Sequence, residues 1–504
     1  MIFFLNCLNM KKLFITLFAC LLAMQLSAQT KKRKTSNNNS LPPALSAIKE
    51  ADIKHDIFEL AGDAFRGRRA GTNDEMRAAA WVAQKAQEAG LKPAGEDGTY
   101  FQFYNLRRTR IGANGTFTIN GQKLVLWEQV WPVQTTDVHL NASVVWLNPG
   151  DTTNDIRGKT VAMKIIAPKP LPVSGMSLWG YRYTAAAIRQ QGQMLRRKGA
   201  AAIILVADDI VEGSLAFTGH NYEEGQYQLA DVAVNNRVIV SPATAPLFLV
   251  RSAIGQLLHQ SNVAVKADCQ TESFLYPSVN VVAKAIGTDP KLRHEYVLFS
   301  GHHDHDGVGT PVDRDSIWNG ADDNASVTVG MLAIGRSWSA KPGKRSALFV
   351  WHGAEERGLL GSRWFVAHPT ANKQSIVAVL NADMIGRNAP DSAALLGTTS
   401  HKNSTQLVTM SMKANDNLTH FKLDFSWDDA QHPENWYFRS DHLPYAQAGI
   451  PAIFFTTLLH PEYHTPKDEP QLIDIAKLTK MAKWMYATGW LVSETTTRPA
   501  LDTK

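Results

Sequence analysis

From Pro277 onward the chain alternates short apolar runs with stretches of helical period, and most of the apolar runs end in a polar cluster. Residues 279–286, 296–299, 347–350, 376–380 and 451–456 read as strands; 326–338 and 358–367 read as helices. Near-continuous apolar strands need cover on both faces, which helices between them supply. This predicts an α/β fold with a mixed, mostly parallel central sheet covered by helices on both faces. In such sheets sites form beyond the carboxyl ends of the strands. The polar clusters of this chain sit there.

At 504 residues the chain has room for two or three domains of roughly 150 residues each. Hydrophobic residues make up 44% and charged residues 19%, which excludes a disordered, collagenous or polytopic membrane protein. The net charge is +6, but Lys11 and Lys12 fall in an N-terminal segment without acids. Without them +4 remains, too weak a field to argue for a nucleic-acid partner. That segment pairs the two lysines with an apolar run over 13–24 and the exit Leu26-Ser27-Ala28, the pattern of a signal peptide over 1–28. The run is too short to span a membrane, which takes about 20 residues. Phe18 and the apolar residues beyond Cys20 argue against a lipoprotein anchor at that cysteine. The chain is therefore expected to be exported, periplasmic or secreted. Lys31-Lys32-Arg33-Lys34, the Ser/Asn run and Pro42-Pro43 make 29–43 a solvated linker.

Residues 44–104 look helical, with helices over 44–60 and 73–89, Thr72 or Asn73 as N-cap and Gly90 as the stop. Between about 112 and 272 the character changes to short β-rich runs at 124–127, 144–147, 161–166, 201–206 and 246–250, with a helix near 185–198. This predicts a separate α/β module that divides one domain, 44–111 and 273–495, into two pieces and leaves 496–504 as a tail. A closing helix is expected to carry Leu472, Ile475, Ala482, Met485 and Gly489 near one face.

Cys7 and Cys20 lie in the leader, so Cys269 is the only cysteine left and neither a disulfide nor a cysteine metal cluster is open to the mature chain. Any metal must be held by histidine and carboxylate. Twelve of the sixteen histidines lie between His294 and His464, which directs the search to the later part of the chain. Five clusters stand out there: Ser300-Gly301-His302-His303-Asp304-His305-Asp306-Gly307, Asn319-Gly320-Ala321-Asp322-Asp323-Asn324-Ala325-Ser326, His352-Gly353-Ala354-Glu355-Glu356-Arg357-Gly358, Asn381-Ala382-Asp383-Met384-Ile385-Gly386 and Tyr463-His464-Thr465-Pro466-Lys467-Asp468. Singly each has a plain structural reading: Asp322-Asp323-Asn324 as a helix cap, Glu355-Glu356 as surface charge, Tyr463-His464 as a buried aromatic pair. As an ordered set they suit two borderline divalent ions held by two histidines and three carboxylates, one of them shared. Such a pair activates a water and polarises a carbonyl at once.

In this order the clusters resemble the co-catalytic zinc aminopeptidase family that also contains glutamate carboxypeptidase and glutaminyl cyclase. Phe65-Arg66-Gly67-Arg68, Ala70-Gly71-Thr72 and Tyr100-Phe101-Gln102 resemble its N-terminal region, and 112–272, through Gly199-Ala200-Ala201-Ala202-Ile203-Ile204, resembles an inserted protease-associated domain. The resemblance implies a zinc-exopeptidase-like fold, two Zn2+ ions and peptide substrates. By position it implies His302 and Asp383 on one metal, Glu356 and His464 on the other, and Asp323 bridging, where Val327 stands in place of a frequent glycine after Ser326. Glu355 would be the general base, Tyr463 would steady the oxyanion and Asp304 would orient His302. Ser440-Asp441-His442 matches a further family segment without a catalytic step, and His303, His305, His352 and His460 are expected outside the ligand set. The implied reaction is removal of N-terminal residues through a di-zinc-activated water. The alternatives are a carboxypeptidase, for which Arg387 or Arg439 would supply the cation, a glutaminyl cyclase, and a catalytically silent peptide-binding protein.

Overall fold

The apolar runs become strands of one ten-stranded sheet, nine of which line up side by side. In chain order these are β1 (Phe101–Ile111), β2 (Gln226–Leu229), β3 (Thr271–Ala285), β4 (Tyr296–His302), β5 (Ser346–His352), β6 (Ile376–Ala382), β7 (Ser392–Leu396), β8 (Lys422–Leu423) and β9 (Ala452–Thr456). Across the sheet they run β8-β7-β9-β6-β4-β5-β3-β1-β2, and the short Lys92–Pro93 pairs beside β3. The central four, β9, β6, β4 and β5, are parallel neighbours. β3, β1 and β2 extend one side antiparallel, and β7 pairs antiparallel with β9 on the other. The sheet is thus mixed, with its parallel strands at the centre. This computed structural model describes residues 41–148, 150–151, 155–230 and 245–502. The leader 1–28 and residues 29–40 of the linker lie outside the described residues.

Strand side chains point alternately to the two faces, and both faces are buried here. Val297 and Phe299 of β4 pack into the core shared with the helices Val327–Ala340 and Ile475–Glu494. Leu298, between them, joins Leu348, Val350, Phe365 and Tyr445 on the opposite face, where the helices Leu360–Ala367 and His442–Gln447 lie. The helix Ile475–Glu494 approaches the sheet closely at Gly489, where a Cβ would collide with the Phe299 ring. Leu472 is not part of it: that residue sits in a short preceding turn and is 47% exposed. The helix Asn73–Glu88 starts at Thr72, whose hydroxyl accepts from the N–H groups of Asp74 and Glu75. It stops at Gly90, which takes a positive φ of 82° that favours glycine.

Eight further strands from residues 116–269 make a second sheet, flanked by the helices Trp179–Arg197 and Asp209–Glu224. It is filled on both faces, by Val161, Ile203, Leu205 and Leu249 on one and Ile204, Val206, Phe248 and Val250 on the other. Cys269 is buried in its last strand, Ala264–Cys269. One strand of this stretch, β2, leaves that sheet to pair with β1 at the edge of the large one.

Three elements differ from the sequence reading. Residues 44–104 are not helical throughout: only Glu50–Leu60 and Asn73–Glu88 are long helices, and Phe101 opens the eleven-residue β1. Its inward positions include Gln102 and Arg108, so its polar and apolar residues do not alternate cleanly. β3 begins at Thr271 instead of 279, because its first half is largely exposed, does not alternate polar with apolar residues and carries Pro277. The helix expected over 326–338 runs Val327–Ala340 and is preceded by a wide, irregular helical turn, Ala321–Ser326.

The loops at the carboxyl edge are tied together by Arg68, which is fully buried. It donates to the carbonyls of His303 (2.8 Å), Leu60 (3.1 Å), Asn319 (2.6 Å) and Gly320 (2.8 Å). Gly67 before it has φ +69°, and a Cβ there would strike the backbone of Gly307 and Trp318. Burial lowers Arg68 to about 10, so it stays cationic at neutral pH. Loop carbonyls have no ladder to satisfy them, and a buried acceptor left without a donor costs about 1–3 kcal/mol. Replacing Arg68 by Leu should therefore destabilise the chain by at least about 3 kcal/mol. Urea unfolding of Arg68→Leu with a midpoint equal to the parent's would refute this.

Candidate metal centre

His302 ends β4, Glu355 and Glu356 follow β5, Asp383 follows β6, and His464 lies in the loop after β9. Four adjacent parallel strands therefore deliver their polar clusters to one edge. Asp323 arrives from the turn Ala321–Ser326, on the connection that leads from β4 toward β5. Of the eight residues singled out in sequence, including Asp304 and Tyr463, seven are buried at this edge and Glu356 is half-buried, with its side chain 7% exposed.

Two histidines face one another across Asp323. Its Oδ1 lies 3.3 Å from His302 Nε2 and its Oδ2 lies 3.3 Å from His464 Nε2. Asp383 Oδ2 is 3.5 Å and Glu355 Oε2 3.9 Å from His302 Nε2, while Glu356 Oε2 is 3.4 Å from His464 Nε2. The glutamate doublet is thus divided between the histidines. The division arises in a turn rather than an extended segment: Ala354 has a positive φ of 54°, and the N–H groups of Gly358 and Leu359 both donate to the Glu355 carbonyl.

Each histidine presents Nε2 because Nδ1 is engaged. His302 Nδ1–H donates to the Asp304 backbone carbonyl at 3.2 Å, with the Asp304 carboxylate at 3.6 Å. The carboxylate itself accepts the Glu355 N–H at 3.1 Å, so Asp304 links the first cluster to the third. His464 Nδ1–H donates to Asp306 Oδ2 at 2.7 Å. Among the described residues His302 Nε2 and Asp383 Oδ1 are buried without a hydrogen-bond partner. Orphaned nitrogen and oxygen donors of this kind, in one pocket, fit divalent ions of zinc type.

Burial raises Glu355, Glu356 and Asp383 above the usual carboxylate range, and repulsion from neighbouring carboxylates adds to it, from Asp323 for Glu356 and Asp383 and from those two for Glu355. For Asp323 the same burial is outweighed by the two histidines, which hold it well below that range. Burial lowers His302 and His464 less than the surrounding acids raise them; both end well above the usual imidazole value. Acids and imidazoles so arranged share protons among themselves, and a divalent cation would replace those protons.

Residues that are not ligand candidates brace the edge. Asp468 accepts the N–H groups of Asp322 (3.0 Å) and Asp323 (3.0 Å). Asp322 is not a helix cap: its carboxylate accepts the Gly386 N–H at 2.7 Å. Asn324 and Ser326 accept the N–H groups of Met384 and Ile385, each at 3.2 Å. The second cluster therefore holds the fourth.

Four histidines were expected outside the ligand set. His303 contacts the Val279 carbonyl, His352 lies between Asn280 and Tyr445, and His460 pairs with Glu462. His305 is nearer to the centre, its Nδ1 donating to Glu356 Oε1 at 3.0 Å. Sequence reasoning also passed over Asp306, which lies two residues past Asp304 in the same cluster. Arg439 donates to the Tyr463 hydroxyl at 2.9 Å and to Glu434 at 3.0 Å, and its guanidinium lies over the Trp436 ring. Arg387 pairs with Glu462 at 2.7 Å. Ser440 accepts from Asn381, Asp441 is raised to about 7 by burial, and His442 stacks on Phe454.

Residues 280–489 match the model of peptidase family M28. The chain is 30% identical over 166 residues to Aminopeptidase YwaD of Bacillus subtilis, covering 32% of this chain and 34% of that protein. It is 26% identical over 228 residues to a probable leucine aminopeptidase of Arthroderma benhamiae, covering 43% of this chain and 58% of that one. The matched stretches thus span less than two thirds of these relatives. Among solved structures, a zinc aminopeptidase from Bacillus subtilis aligns over 89% of this chain and 96% of its own, with TM-score 0.58 and 18% identity. A peptidase M28 precursor from Shewanella amazonensis aligns over 92% and 98%, with TM-score 0.54 and 18% identity. These extents take in the second sheet as well as the first, and at such identity they establish a shared fold.

If the centre holds cations, saturating zinc should raise the melting temperature of chelator-treated protein by several degrees. Binding at a thousandfold over Kd contributes about 4 kcal/mol per ion. In Asp323→Ala the gain should largely vanish, because both halves lose a ligand. Calorimetry showing the full gain in that variant would count against the shared role of Asp323.

Proposed function

We propose, from the match of residues 280–489 to the model of peptidase family M28, that the chain is a zinc-dependent exopeptidase removing residues from the N-terminus of peptides. The observation that carries this reading is Asp323, whose two oxygens each meet a different histidine at 3.3 Å. On this reading His302 and Asp383 hold one ion, Glu356 and His464 the other, and Asp323 belongs to both. Two zinc ions bound there would supply Lewis acidity, lowering the pKa of water and polarising the scissile carbonyl.

Glu355 is the general base. It lies on the His302 side without belonging to either ligand pair, and burial keeps its carboxylate basic. It takes a proton from the attacking water and returns it to the leaving amine. Tyr463 steadies the oxyanion. Arg439 donates to the phenol oxygen, which leaves the phenolic hydrogen free to donate to the substrate, and burial keeps that phenol protonated at neutral pH. Asp304 positions both His302 and the Glu355 backbone.

The partners of Arg439 and Arg387 speak against the carboxypeptidase alternative, since both cations already have a carboxylate. The complete set of five ligand candidates speaks against a one-metal glutaminyl cyclase, and Glu355 against a silent binder.

Incubation of zinc-loaded protein with a free and an N-acetylated peptide, read by mass spectrometry, tests the reading. Stepwise loss of N-terminal residues from the free peptide alone is expected. C-terminal trimming, ring closure or no change would overturn it. Glu355→Gln should keep its metal and lose about 10²–10⁴-fold in turnover; a variant of normal rate would remove Glu355 from the base role.

Export belongs to the same proposal and rests on Lys11-Lys12, the apolar run 13–24 and Leu26-Ser27-Ala28. No helix among the described residues is long and apolar enough to cross a membrane. Protein recovered from the envelope or medium should begin at Gln29 on N-terminal sequencing; a sequence still beginning at Met1 or Met10 would refute cleavage.

A further inference from the structure

The helix Asp209–Glu224 belongs to the layer of the second sheet, yet it reaches the metal centre at two points. Phe217 presents its ring at right angles to that of His464, centroids 5.8 Å apart, and stacks on Trp318. At the helix end Glu224 is buried among three arginines: Arg69, Arg108 (Nη2 at 3.7 Å) and Arg357 (Nη2 at 3.8 Å). The Tyr227 hydroxyl donates to it at 3.2 Å, and His220 stands 3.9 Å away.

Arg357 connects this cluster to the centre. It follows Glu356 directly, and its Nη2 also donates to Asp306 Oδ1 at 3.2 Å. The other oxygen of Asp306 receives His464 Nδ1–H at 2.7 Å. The contacts therefore run Glu224, Arg357, Asp306, His464. A buried guanidinium needs compensating charge, and here two carboxylates share that task. With Glu224 present, Arg357 is balanced from the far side and Asp306 keeps one oxygen for the imidazole. Without that charge the arginine must draw on Asp306 and Glu356 alone. The local potential then turns more positive beside a site for a divalent cation, and the imidazole loses part of its anionic partner.

We infer that Glu224 is a positioning residue for the His464 half of the metal centre, acting through Arg357 and Asp306. The second layer is then part of the construction of the site and not only a neighbour of it. This rests on the two-ion reading above.

Equilibrium dialysis of the chelator-treated full chain against buffered free zinc, with metal analysis, measures both affinities. In Glu224→Gln one dissociation constant should rise about tenfold while the other holds, the size seen for partners behind metal ligands. Glu224→Asp, which keeps the charge, should stay nearer to the parent. Arg357→Lys keeps a charge but has a shorter reach, which withdraws the nitrogen that meets both carboxylates, and should weaken the same ion even if Glu224→Gln fails to fold. Unchanged constants, equal weakening of both ions, or equal effects of Gln and Asp would each overturn the inference alone. A parent chain that binds fewer than two ions would overturn both this inference and the reading beneath it.

Discussion

Everything at the carboxyl edge is arranged around a repulsion. Asp323, Glu355, Glu356 and Asp383 meet in a buried pocket, each within 4 Å of an imidazole nitrogen. Carboxylates do not gather in this way unless the chain holds them there or a cation draws them together. Here the chain does much of the holding. Asp468 grips the backbone on which Asp323 rides, Asn324 and Ser326 grip the loop after Asp383, and Asp304 grips the backbone of Glu355. Arg68 gathers four carbonyls behind them. These loops lie past the strand ends, where no ladder satisfies the backbone, so side chains take over that task. The polar residues that surround the ligand candidates in sequence are therefore fixtures of the loops.

The clusters were legible because all but that of Asp323 follow an apolar run that becomes a buried strand, and parallel strands bring their ends to one edge. Strand ends marked the clusters of His302, Asp383 and the Glu355-Glu356 doublet, and the family resemblance then singled out the residues within them. What sequence hid was the division of labour within a cluster. In His302-His303-Asp304-His305-Asp306, nothing local tells that His303 turns away to Val279 while His305 and Asp306 turn toward Glu356 and His464. Asp322-Asp323-Asn324 looks like a helix cap, but the preceding wide turn sends each residue in a different direction. β1 was hidden for another reason: its inward Gln102 and Arg108 donate to the His368 and Glu224 carbonyls, so polar residues occupy positions that a strand usually fills with apolar ones.

Glu224 marks the limit of local reading most clearly. Its meaning depends on Arg357 and Asp306, which lie in two other clusters of the chain, and on β2, which follows it and pairs with β1. That pairing anchors the end of the helix Asp209–Glu224 to the large sheet. The helix then comes to the metal centre from outside the strands that build it, bringing one acid and one aromatic ring.

The two halves of the centre are also built unequally. His302 gives its Nδ1–H to a backbone carbonyl, whereas His464 gives it to the carboxylate of Asp306. A carboxylate behind an imidazole makes the far nitrogen the stronger donor. On the His302 side, Glu355 adds a further carboxylate, 3.9 Å from the imidazole, which the proposed function assigns to the base. On the His464 side, Arg357 sits behind Asp306 and tempers the negative charge that the pocket would otherwise concentrate. A weaker donor on one side and a stronger donor backed by a buffered acid on the other would suit an asymmetric pair of ions, should two bind there. On the proposed reading the His302 half would lie beside the proton transfer, and the His464 half would be fixed by the surrounding structure.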